Sequence, residues 1–257
     1  MRIALRIALA ASAALLTLGV AQAQETLRIG TEGAYPPFNN LTSDGQLVGF
    51  DIDIAKALCD EMKVKCTFVA QDWDGIIPAL LANKYDAIIA SMSITEERRQ
   101  VIDFSEKYYQ TPARFVAPKD SDLVFTPEGL AGKVVGVQRG TIHQAFMEGE
   151  FPDATLQLYG SQDEMTLDLS SGRIDAAMAD SVALDLGFLK TPGGADYAFF
   201  GDSYSIPKYH GEGAGIGVRK EDTELRDKLS AAILAIRADG RYQEIEKKYF
   251  DFDVYGG

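Results

Sequence analysis

The chain has 257 residues, 46% of them hydrophobic and 25% charged, enough for one large domain or two small ones. Its 25 basic and 38 acidic residues give a net charge of −13, which argues against nucleic acid and anionic membrane surfaces as partners. Past the first two dozen residues, no apolar run approaches the roughly 20 residues of a membrane span.

Arg2 and Arg6 flank the start of an apolar run from residue 7 to 20, and Ala21-Gln22-Ala23 follows as a small-x-small processing pattern. Residues 1–23 therefore read as a cleavable secretory signal, with the mature chain starting at Gln24. Removing two Arg and no acid leaves 23 basic residues against 38 acidic ones, or −15. Next, residues 26–31 predict a strand. Residues 50–62 predict a helix, with Ile52, Ala55, Leu58, Cys59 and Met62 at three- and four-residue spacing. A strand is expected over 64–69, a helix over 76–82 and a buried strand over 86–90, with Thr95 placed to cap the helix that follows. An exported chain permits a disulfide between Cys59 and Cys66, worth about 2 kcal/mol. A metal pair is the weaker reading, because His143 and His210 have no ligand spacing to these cysteines. No metal or cofactor is expected.

The same grammar resumes with strands over 133–138, 155–158 and 174–178 and helices over 141–148 and 162–170. A strand over 214–219 and helices over 222–239 and 242–249 close the chain. Strands alternating with helices imply βαβ units and mostly parallel sheets. A weak internal echo supports two related lobes. Lys84-Tyr85-Asp86-Ala87 with its apolar strand ending at Ser91 resembles Arg173-Ile174-Asp175-Ala176 with its strand ending at Asp180. The openings Ile29-Gly30-Thr31-Glu32 and Val135-Gly136-Val137-Gln138 echo as well. Ligands bind beyond the carboxyl ends of strands in open parallel sheets, so Glu32, Ser91, Gln138 and Asp180 are candidates for a cleft.

Gly49-Phe50-Asp51-Ile52-Asp53-Ile54, followed by Leu58-Cys59 and Met62, resembles the signature of the polar amino-acid family of bacterial periplasmic solute-binding proteins. Tyr35-Pro36-Pro37-Phe38, Asp72-Trp73-Asp74, Ala90-Ser91-Met92-Ser93-Ile94-Thr95 with Arg98, Asp103-Phe104-Ser105 and Lys248-Tyr249-Phe250-Asp251 fit the same pattern, across essentially the whole mature chain. The nearest likeness is to the lysine/arginine/ornithine- and histidine-binding branch, with octopine and nopaline receptors beside it. The resemblance implies a two-lobed α/β fold, each lobe a mostly parallel sheet flanked by helices. Lobe one would be residues 24–109 and 214–257, lobe two 114–204, and the hinge 110–113 with 205–213. It also implies a monomeric periplasmic receptor that hands a basic amino acid, or an arginine-derived opine, to an ABC permease and its ATPase.

An amino acid presents a carboxylate and an ammonium at fixed separation. A carboxylate wants a guanidinium fork and N–H groups at a helix start, and Arg98 follows Ser93-Ile94-Thr95 closely enough to serve. By resemblance Arg98 clamps the α-carboxylate, and Asp180 takes the ammonium with Ser91 assisting. Asp180 could equally be a helix N-cap, and the two roles are compatible. Glu32 looks like the acid that meets a cationic side-chain end, and Tyr35 and Trp73 like the plates around its stem. Departures from the lysine/arginine/ornithine pattern are Glu32 for a shorter Asp, Trp73 for Phe, Ala90 for Ser, Ile142 for a Thr beside the carboxylate, and Gln138 for an apolar residue. They leave the ligand's side chain open. Other classes are an enzyme on the same fold and a sensory domain. No Ser-His-Asp set and no Gly-rich phosphate loop favours the former, and the latter would have to signal through a partner.

Overall fold

The computed structural model describes residues 25–256; the expected signal segment 1–23 and the expected mature start at Gln24 lie outside them. β1 (Thr26–Thr31) is followed by a small antiparallel sheet of β2 (Ala34–Tyr35), β3 (Asn39–Leu41) and β4 (Leu47–Val48). α1 (Phe50–Met62) spans the residues its periodicity predicts, burying Phe50, Ile54, Ala55 and Leu58 while Asp51 and Asp53 sit in the first turn, where acids suit the helix dipole. Then come β5 (Lys65–Ala70), α2 (Trp73–Leu81), β6 (Ala87–Ile88), α3 (Glu96–Arg99) and β7 (Asp103–Tyr109). The Cys59–Cys66 disulfide joins the end of α1 to β5.

From there the chain enters a second sheet: β8 (Ala113–Pro118), β9 (Val134–Gln138), α4 (Ile142–Glu150), β10 (Thr155–Tyr159), α5 (Gln162–Ser170), β11 (Ala176–Asp180), α6 (Ser181–Leu184), β12 (Tyr197–Tyr204) and the helical turn α7 (Pro207–His210). β13 (Ala214–Val218) returns to the first sheet, and α8 (Thr223–Ala238) and α9 (Arg241–Glu246) pack on it.

The first sheet runs β5-β1-β6-β13-β7 and the second β10-β9-β11-β8-β12. In each, four strands share a direction and one opposes them: β13 in the first and β8 in the second. The reversed strand is in both cases the first after the chain crosses between sheets. A strand entering from the neighbouring lobe arrives at the carboxyl end of its new sheet, so it has to run the other way. Sheets built by βαβ units thus remain mostly parallel, and the two crossings put their carboxyl ends face to face.

Some elements differ from expectation. α2 starts at Trp73, three residues earlier than 76, which carries the indole to the helix mouth. β6 is shorter than 86–90, since Ser91 turns away at φ 55. Strands β7, β8 and β12, each in an antiparallel pair, and the small sheet β2–β4 lie outside the expected alternation of strands and helices. Within the second crossing, α7 packs on α4, and Tyr209 joins the core of the second sheet.

Candidate functional site

A cavity lies between the facing sheet ends, and all ten residues singled out in the sequence line it: Glu32, Tyr35, Trp73, Ala90, Ser91, Ser93, Arg98, Gln138, Ile142 and Asp180. Six come from strand ends or from the turns just beyond, as the strand-end argument requires: Glu32 after β1, Ala90, Ser91 and Ser93 after β6, Gln138 closing β9 and Asp180 closing β11. Trp73, Arg98 and Ile142 sit at or near helix starts.

Arg98 is placed by its cap. Thr95 accepts the Arg98 N–H at 3.3 Å, which opens α3 and aims the side chain back over Ser93. Its Nη1 donates to the Ser93 carbonyl at 2.9 Å and its Nη2 to the Gly140 carbonyl at 3.3 Å. Trp73 Nε1 donates to the same carbonyl at 3.2 Å, and the guanidinium lies 5.2 Å from the indole centroid. Gly140 adopts φ 68, a left-handed turn that suits glycine, and leads directly into α4. Burial lowers the Arg98 pKa to about 10, so it stays cationic at neutral pH. A guanidinium fork at the start of α4, where Thr141 caps only the Gln144 N–H, makes a site for a carboxylate.

On another wall, Asp180 is 8% exposed. Its Oδ1 accepts the N–H groups of Val182 at 2.8 Å and Ala183 at 3.0 Å, and its Oδ2 accepts the Thr111 hydroxyl. The cap role is real, and Oδ2 keeps a lone pair. Burial pushes the carboxyl up to about 6 despite these donors. Ser91, also in the cavity lining, holds a left-handed backbone that costs a non-glycine residue about 1–3 kcal/mol.

Glu32 faces the second sheet. Gln138 Nε2 donates to Glu32 Oε1 at 2.6 Å and also to the Gly160 carbonyl at 3.1 Å. Burial, with the nearby charges of Asp163, Asp72 and Asp74, raises Glu32 to about 7 against the pull of Gln138. A cationic group would find here a desolvated acid ready to ionise. Nearby, Arg139 pairs with Asp74 at 2.7 Å across the sheets, but both are half exposed, so the pair contributes at most about 1 kcal/mol.

Sequence reasoning missed further lining residues: Tyr109, Gln110, Thr111, Thr141, His143, Ser205 and His210 among them. Tyr109, Gln110, Thr111 and Ser205 lie in or beside the stretches expected to cross between lobes, which was the available signal. For the two histidines the sequence offers only a metal-ligand reading. They come together across α4 and α7 with ring centroids 6.3 Å apart, and burial lowers the pKa of both, that of His143 to about 3.

The chain is 51% identical over 243 residues to the L-arginine-binding protein of Pseudomonas aeruginosa, covering 94% of each. It is 48% identical over 243 residues to the histidine-binding periplasmic protein of Escherichia coli K12, again covering 94% of each. Among solved structures, a Salmonella typhimurium periplasmic binding protein described for high arginine specificity matches with a TM-score of 0.82 and 36% identity, covering 88% of this chain and 99% of that one. Residues 27–252 match the model of the bacterial extracellular solute-binding proteins, family 3, and the chain belongs to that family.

Proposed function

We propose that this protein is the periplasmic receptor of an ABC importer for a basic amino acid such as arginine, lysine, ornithine or histidine. The carrying observation is the division of charge around the cavity. Arg98 and the start of α4 form one pole, Asp180 a second and Glu32 a third. In this reading the α-carboxylate takes the first, the α-ammonium the second with Ser91, and the cationic side-chain end the third, its stem lying against Tyr35 and Trp73. Binding and release are the whole task, with a membrane permease and its ATPase as partners. The reported relatives are named for arginine or histidine, none for an opine, so the opine alternative is not carried forward.

Capture would draw together two bodies, 24–109 with 214–257 and 114–204, turning about 110–113 and 205–213. Contacts from one sheet to the other at Gly140 and Gln138 support this reading, because they join the lobes through residues that line the cavity. Calorimetric titration of refolded protein with arginine, lysine, ornithine, histidine, glutamine and glutamate is the test. The sole tryptophan, Trp73, serves as a fluorescence reporter of closure. At least one basic ligand should bind below about 100 μM and quench or shift that fluorescence. Tighter binding of the neutral or acidic ligands would sink the pocket assignment.

A further inference from the structure

Asp51 is wholly buried in the first turn of α1 and does not line the cavity, yet it takes donors from three separate segments. Its Oδ2 accepts from Asn39 Nδ2 at 2.8 Å and from Ser91 Oγ at 3.0 Å; its Oδ1 accepts the Tyr108 hydroxyl at 2.9 Å. Two of these donors are fixed from the other side. The Gly33 N–H donates to Asn39 Oδ1 at 2.7 Å, which turns the amide nitrogen towards Asp51. The Ser91 N–H donates to the Tyr108 oxygen at 3.0 Å, which leaves the phenol proton for Asp51. Gly33 follows Glu32 directly. Asp51 therefore ties together two walls of a site it does not touch.

A hydroxyl has one proton and two lone pairs. The Ser91 proton is directed at Asp51, so to any ligand group that reaches this oxygen from the cavity Ser91 lines it can only accept. We propose that Asp51 is a positioning residue: by taking the Ser91 proton and anchoring its left-handed turn, it makes Ser91 an acceptor for the ligand's α-ammonium. The inference rests on the amino-acid reading above and deepens it. An ammonium has three protons to place, and Asp180 with Ser91 supplies two acceptors for them. A carboxylate finds no donor at the Ser91 hydroxyl and is left to Arg98 and α4. Asp51 thereby sets which way round the head group sits.

The test is to titrate wild type, Ser91→Ala, Asp51→Asn and the double variant with L-arginine and with 5-guanidinopentanoate, the same molecule without its α-amino group. Wild type should prefer arginine. Ser91→Ala should cut that preference about tenfold while the deaminated compound stays within about threefold. Asp51→Asn replaces an acceptor by a donor, turns the Ser91 proton into the cavity, and should cut the preference at least as far. If Asp51 acts through Ser91, the double variant should be no worse than the worse single. A Ser91→Ala protein that keeps the wild-type preference within about threefold overturns the proposal, as does equal loss of both compounds in either variant. Ser91→Ala leaves Asp51 two donors, so a Ser91→Ala protein with an unchanged preference overturns the proposal even where Asp51→Asn does not fold. A wild type that binds no basic amino acid would instead defeat the functional reading itself.

Discussion

A cationic amino acid should bind about a hundredfold more tightly at pH 8 than at pH 5, because Glu32 must ionise to receive the ligand's charged end. Burial and its acidic neighbours hold this carboxyl at about 7 instead of the ordinary 4.5. A cation placed against it favours the charged form, so the pKa falls on binding and a proton leaves. Titrating at about 7, Glu32 is ionised to roughly 1% at pH 5 and roughly 90% at pH 8. The apparent association constant follows that fraction, about tenfold per pH unit below 7, or roughly 2.7 kcal/mol over the range. Asp180, raised to about 6, steepens the dependence at the acid end. Asp51, also near 6, titrates there too but faces Ser91 rather than the cavity. Both Glu32 and Asp180 sit above their ordinary values. Their contribution to stability is therefore fully present below about pH 4 and is lost as pH rises through 6 to 7. A bound cation offsets that loss, so the ligand-induced rise in Tm should grow over the same window. Calorimetry at pH 5 to 8, in two buffers of different ionisation enthalpy, measures both the affinity and the proton released. Glu32→Gln should flatten the profile above pH 6.5. A wild-type affinity that varies less than threefold from pH 5.5 to 8 refutes the reasoning, as does an unchanged slope above pH 6.5 in Glu32→Gln.

Arg98→Ala removes the only guanidinium at the mouth of α4 among the residues lining the cavity, and should cost about 2–5 kcal/mol of affinity, roughly thirtyfold or more. A loss below about tenfold by titration would show that the carboxylate binds elsewhere. Replacing Cys59 and Cys66 together by Ser opens a loop closed over a sequence separation of 7 and should cost about 2 kcal/mol, lowering Tm by roughly 4–8 °C. Neither cysteine lines the cavity, so affinity measured well below Tm should hold.

The parallel strands and α1 were legible because their apolar residues repeat at fixed spacing; β1 and α1 fall where the pattern puts them. β7, β8 and β12 escaped that reading. β7 carries Glu106 exposed between the buried Phe104-Ser105 and Tyr108-Tyr109 pairs, so neither period is visible, and its place beside β13 depends on the return of the chain after residue 204. The site divides in the same way. Glu32, Ser91, Gln138 and Asp180 could be named because strand ends meet a cleft in this architecture. Thr111 and His210 lie within the expected crossing stretches, whereas His143 gains its place only when α7 packs on α4. Asp51 reads locally as an ordinary first-turn acid, and its partners at 39, 91 and 108 are brought to it by tertiary packing alone.

Two departures in the sequence become one change in the structure. Glu32 has a methylene more than the Asp expected there, and Gln138 replaces an apolar side chain. Taken singly, each is unfavourable: a buried acid without a donor is strongly desolvated, and a buried amide without an acceptor loses a hydrogen bond. Together they form a 2.6 Å contact across the sheets, and the Gly160 carbonyl takes a second donor from the same nitrogen. The longer acid reaches the amide, and the amide holds the acid against the second lobe. A cationic ligand end must then displace or join a donor that already serves Glu32. It gains less from this acid than from an unpartnered one, and its gain depends on the proton that Glu32 holds near neutral pH. In the proposed reading, discrimination among basic side chains would turn on how well each replaces a neutral amide at one carboxylate oxygen. A guanidinium, which can pair with both oxygens, does this better than an ammonium.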